Sequence, residues 1–154
     1  MEVDSIFLLN PSITGVPEYE IIKSIKGIEY FKNLSVFVSV HELIENIDFS
    51  HNKNLKYVHI EDYHGSVGGG PGRDKYRALK RINFGKNPNI KEISLLSTLL
   101  EEVDLSGLPN LSKVVIGGYE LETVYLNSKK QIRSGWDIIP TNEKTIEYKI
   151  CENP

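Results

Sequence analysis

The sequence predicts a mainly β chain, an array of short parallel strands with two strands per 21-residue coil and a cap at each end. Three observations carry that expectation. Units of eleven and ten residues alternate, each unit has the form apolar-x-x-apolar-x-apolar, and an amide residue stands just before every second unit. A fixed internal period is the first thing to look for, because it decides the architecture before any local propensity does.

The apolar columns run Leu79/Ile82/Phe84, Ile90/Ile93/Leu95, Leu100/Val103/Leu105, Leu111/Val114/Ile116 and Leu121/Val124/Leu126. Upstream, Ile44/Ile47/Phe49 and Leu55/Val58/Ile60 fit the same frame. In each unit the last two apolar positions are two residues apart, so they share one face of an extended strand while their neighbours point outward. The first apolar residue packs from the incoming turn. Equivalent units then pair laterally at about 4.8 Å and stack their apolar side chains into one elongated core. So short a coil leaves little room for a helix.

The amide column is Asn33, Asn54, Asn89, Asn110 and Gln131, with spacings of 21, 35, 21 and 21. An amide in each turn exchanges hydrogen bonds with the backbone of adjacent coils, as a buried turn requires. The long spacing is one period plus 14, and it coincides with GSVGGGPGRDKYRA, residues 65 to 78, whose composition differs from its surroundings. That segment reads as a mobile, locally basic insertion into the array, bearing Arg73, Lys75 and Arg77 as candidate binding residues on a rigid scaffold.

The elements follow in order within a single domain, residues 1 to 154. Residues 1 to 33 form an N-terminal cap around SIFLLN and a loop with Pro11, Gly15 and Pro17; residues 34 to 135 form the repeats; residues 136 to 154 form a C-terminal cap. The pattern lapses after Ile132, at RSGWDIIP, where the array is expected to end. TIEYKI, Thr145 to Ile150, alternates with period two and reads as a last strand covering the open edge.

Nested units of this kind, with Asn52 and Asn87 at the asparagine of an LxxLxLxxN-like motif, resemble bacterial leucine-rich-repeat proteins of the Bacteroides-type surface subtype. IKGIEYFKNLS, Ile25 to Ser35, is similar to the lead-in that precedes the first repeat there. The resemblance covers about residues 25 to 135, and Leu108 and Lys129 depart from it by replacing the asparagine in two units. It implies a leucine-rich-repeat solenoid and a non-catalytic module for protein or glycan binding or adhesion, at a bacterial cell surface or secreted; fold alone does not assign the role.

Composition bounds the partners. With 154 residues, a formal net charge of -3 and a pI near 5.8, the chain has no global basic field to draw nucleic acid or an anionic membrane. No stretch approaches the roughly 20 apolar residues of a membrane helix. The acidic start MEVDSIFLLN lacks the basic and apolar regions of a signal peptide, which leaves a cytoplasmic location or a trimmed N-terminus open. A single Cys151 forms no internal disulfide and reads as an incidental thiol. The expected state is a monomer without cofactor.

With the inward columns committed to the core, binding falls to outward positions. The eleven-residue units present a polar, partly acidic face that reads as solvated. The ten-residue units present more apolar and aromatic groups, and contiguous apolar exposure marks an interface. Tyr57, His59, Glu61, Glu92, Leu96, Lys113 and Val115 are the candidates on that second face, unless the N-terminal cap covers Val36 to Val40.

Catalytic patterns are weak. His59, Glu61, Asp62 and His64 have metal-ligand chemistry, but alternate residues of a strand face opposite ways. HELIE at His41 lacks the second histidine of HExxH, so Glu42 reads as a solvated charge. The insertion holds neither GxxxxGK[ST] nor GxGxxG, and no helix pattern follows it. The alternatives to a surface binding module are an intracellular inhibitor or immunity-like protein and, behind it, a metal- or nucleotide-dependent enzyme using the Gly-rich insertion.

Overall fold

The computed structural model describes residues 3–10, 21–62, 77–118, 120–140 and 145–151. Among the described residues eleven strands run in chain order: β1 (Ser5–Leu9), β2 (Val36–Val40), β3 (Asn46–Asp48), β4 (Tyr57–Glu61), β5 (Arg81–Asn83), β6 (Glu92–Thr98), β7 (Glu102–Asp104), β8 (Lys113–Gly118), β9 (Thr123–Leu126), β10 (Trp136–Pro140) and β11 (Glu147–Ile150). From β2 onward the chain alternates between two faces. A six-stranded sheet has the order β1-β2-β4-β6-β8-β10, and the opposing strands form a pair β3-β5 and a triplet β11-β9-β7. Every pairing is parallel.

The register realises the apolar columns residue by residue. Phe37, Val58, Ile93 and Val114 lie in one inward row of the large sheet, and Ser39, Ile60, Leu95 and Ile116 lie in the next. Ile47 pairs with Ile82, and Val103 with Val124, on the opposing face. Both sets enter a single core with Leu34, Leu55, Leu79, Ile90, Leu100, Leu111 and Leu121 from the turns. Burying each such side chain contributes about 1.5–3 kcal/mol. Phe37 meets Phe49 edge-on with centroids 5.0 Å apart, and Phe49 stacks on Phe84 at 6.2 Å.

The amide residues divide into two columns. Asn52 and Asn87 are fully buried: Asn52 Nδ2 donates to the Ile28 and Phe31 carbonyls, and Asn87 Nδ2 donates to the Asn52 carbonyl. Leu108 fills the next position with an apolar side chain, and Gln131 reaches inward to donate to the Leu105 and Leu108 carbonyls. The column expected to serve buried turns, Asn54, Asn89 and Asn110, is instead exposed. Each still ties its turn to the preceding coil, by Nδ2 bonds to Lys32, Lys53 and Pro88 carbonyls at 3.0, 2.7 and 2.9 Å.

The C-terminal end departs from its expectation. The coil after Ile132 continues the large sheet, since Trp136 pairs with Val114 and Ile138 with Ile116. The step from Val114 to Trp136 is one residue longer than the period, which breaks the pattern without breaking the pairing. At the other end β1 lies beside β2, Phe7 against Val38, and so extends the sheet. Its outward residues leave Val36, Val38 and Val40 partly exposed.

Candidate binding surface

Outward residues of the large sheet form three rows across its strands. The first runs Val36, Tyr57, Glu92, Lys113; the second Phe7, Val38, His59, Ser94, Val115, Asp137; the third Leu9, Val40, Glu61, Leu96, Gly117, Ile139. Parallel strands in register bring these positions together, because every second side chain of each strand projects to the same side. Tyr57, His59, Glu61, Glu92, Leu96, Lys113 and Val115 thus share one face. His59 Nε2 lies 3.5 Å from Glu61 Oε2, and Lys113 Nζ lies 3.8 Å from Glu92 Oε2. These polar side chains form a band across the middle strands.

Apolar groups flank that band on both sides. Phe7 and Leu9 are 58% and 61% exposed beside Val36, Val38 and Val40, and Ile139 is 51% exposed on β10, where it pairs with Gly117 beyond Leu96. The sequence places Val36, Val38, Val40, Leu96 and Val115 on this face, but not Phe7, Leu9 or Ile139. SIFLLN carried the signal: Ile6 and Leu8, two apart, pack on the core, which sends Phe7 and Leu9 outward. In WDIIP, Ile138 turns inward and Ile139 outward by the same parity.

Of the insertion only its last two residues, Arg77 and Ala78, are described, and these depart from the expectation. Arg73 and Lys75 lie outside the described residues. Arg77, expected on an exposed basic loop, is buried at 8% exposure next to Ala78, which is buried as well. The cause is Asp62. Its carboxylate, 2% exposed, accepts the backbone N–H of Ala78 at 2.9 Å and of Leu79 at 3.0 Å, and Arg77 bears on it electrostatically. Burial raises its pKa to about 6, against the opposing pull of the two N–H groups and Arg77. The buried array therefore resumes at Arg77, two residues earlier than expected.

His64 of the metal-like set lies outside the described residues, and the other three members do not converge. His59 and Glu61 face outward while Asp62 is spent on backbone donors, and no group of three His, Cys, Asp or Glu converges among the described residues. Glu42, read as solvated, is buried: it accepts the Ile22 N–H at 2.7 Å, and burial raises its pKa against that bond and against nearby His41. It anchors the segment that precedes β2 rather than meeting solvent.

On the opposing face the acids are satisfied locally. Asp48 accepts from the Ser50 N–H and from Asn83 Nδ2, and these bonds hold its pKa low despite partial desolvation. Tyr125 donates its hydroxyl to Glu102, which raises the tyrosine's pKa. A shallow groove of about 490 Å³ opens beside β3, floored by Ile25, Ile28 and Ile47. Comparison with protein-family models, with curated proteins and with solved structures gives no match.

Proposed function

We propose that the chain is a leucine-rich-repeat solenoid acting as a non-catalytic protein-binding module, with the outer face of the large sheet as its interface. The observation that carries this reading is the pair of apolar flanks, Phe7/Leu9/Val38/Val40 and Leu96/Val115/Ile139, set about a polar band on one sheet. Large apolar side chains left in water at both ends of one surface mark a docking face, and a polar band between them supplies orientation. Tyr57, in the first row on the third of the six strands, serves as the aromatic anchor, since tyrosines are enriched among residues that dominate interface energy.

Photocrosslinking tests the assignment. A photoreactive amino acid placed at Val38 or Val115 should give a discrete protein adduct in cells that express the chain, and the same probe at Asn83 or Asp104 on the opposing face should not. Adducts from the opposing face alone, or none from Val38 and Val115 at any expression level, would remove the reading.

A further inference from the structure

The net charge of -3 conceals a strong segregation between the two turn edges of the array. The turns that lead from the opposing face back to the large sheet stack on one edge, as the backbone bonds from Lys56 to Ser35, Lys91 to Lys56 and Ser112 to Lys91 show. Lys32 lies in the first of these turns, Lys53 and Lys56 in the second, and Lys86 and Lys91 in the third. The fourth, 105 to 112, is uncharged, and the fifth carries Lys129, Lys130 and Arg133. All of these cations are exposed, and residues 31–35, 49–56, 84–91, 105–112 and 127–135 contain no acidic residue. The opposite edge holds Glu45, Glu101, Glu120 and Glu122, together with the buried Arg77 and with Lys80, which pairs with Glu45 at 3.5 Å.

Distance keeps the two edges electrically distinct. A five-residue strand separates them by about 16 Å, against a screening length of about 8 Å at physiological salt. Along the basic edge five turns at about 4.8 Å per coil make a row roughly 20 Å long. None of its cations forms an ion pair among the described residues, and Lys53 spends one proton on the Lys86 carbonyl at 2.7 Å.

The neighbouring amides narrow the ligand class. Asn54, Asn89 and Asn110 commit Nδ2 to the preceding coil, which leaves each Oδ1 in the row as an acceptor. Hydroxyl groups satisfy such acceptors, whereas phosphodiester and carboxylate oxygens repel them. At the first turn the rings of Tyr30 and Phe31 are 78% and 39% exposed beside Lys32, an apolar platform for the face of a sugar ring. From cations, acceptors and exposed rings in one straight row, we infer that this edge binds an unbranched acidic polysaccharide, one bearing carboxylate or sulfate groups among its hydroxyls. The site is separate from the sheet face and does not depend on it.

The test uses the full chain with size-selected polygalacturonate and dextran sulfate as probes, beside neutral dextran, poly-L-glutamate and a thymidine oligodeoxynucleotide. Binding to one of the acidic glycans should exceed that to all three controls and weaken steadily with added salt. The double substitution Lys56→Gln/Lys91→Gln should reduce it by about tenfold, Lys56→Arg/Lys91→Arg should restore it, and unchanged circular dichroism shows that both variants fold. Binding to neither glycan, equal binding to the oligonucleotide or to polyglutamate, or affinity unmoved by the glutamine pair would each overturn the inference. Selective retention of the sulfated or of the carboxylated probe identifies which anion the edge takes.

Discussion

Replacing Asp62 by asparagine should remove a defined part of the protein's pH-dependent stability. Asp62 is almost wholly buried, and its carboxyl pKa is raised from 3.8 to about 6 because desolvation outweighs the Ala78 and Leu79 N–H groups and Arg77. The folded state therefore holds the Asp62 proton more tightly than the unfolded chain, so between those two values the native state binds more protons and stability falls as pH rises. The contribution is complete below about pH 4 and is lost as the pH climbs through about 6. A rise from 3.8 to about 6 corresponds to about 3 kcal/mol at full ionisation.

Urea unfolding of wild type and Asp62→Asn across about pH 4 to 7.5 isolates this quantity, because other titrating groups, including the buried Glu42, are common to both proteins and cancel in the difference. The stability of wild type minus that of the variant should drop by about 3 kcal/mol over the range and then level off. A difference that stays flat, or one that grows with pH, would show that Asp62 is solvated or fully compensated, and the account of the insertion's base would fall with it.

Two further outcomes follow from the packing. A side chain at Gly107 would project its Cβ into the carbonyl of Gly85 in the coil below, a backbone group that cannot swing aside, so Gly107→Ala should cost about 1–3 kcal/mol in chemical denaturation. Excising residues 65 to 78 removes two buried residues and one N–H donor to Asp62, and should lower stability by about 1–3 kcal/mol relative to an excision that stops at 76. Equal urea midpoints for the two excisions would detach Arg77 and Ala78 from the fold.

Much of the architecture was legible because the columns report directly on packing: Phe37, Val58, Ile93 and Val114 recur in phase and occupy one inward row. What stayed hidden lies where the step departs from the period. Ile6 pairs with Phe37 across a step of 31, and Val114 with Trp136 across 22. Extra residues in a turn leave strand pairing intact but move the next apolar pair out of phase, so periodicity missed β1 and β10, and with them Phe7, Leu9 and Ile139. Asp62 was invisible for a different reason. Its environment is made by Ala78 and Leu79, brought back to it across the insertion, and no local pattern records a contact made by backbone N–H groups.

Charge in a stacked array has to be read by column rather than by sum. A net charge of -3 argues against a basic field only if the charges are mixed, and parallel stacking with a near-constant period does the opposite: it gathers residues of one phase onto one edge. Lys56 and Lys91 are 35 residues apart in sequence yet become backbone neighbours, with the Lys91 N–H bonded to the Lys56 carbonyl at 2.9 Å. Like charges held so close destabilise the fold by mutual repulsion, and side chains of their opposite phase, Glu101 and Glu122 among them, cannot relieve it from the far edge. A ligand that supplies counter-charge along the row would relieve that repulsion as it binds. Binding at the basic edge should therefore raise the unfolding midpoint of the chain, and raise it more at low salt, where the lysines repel one another most.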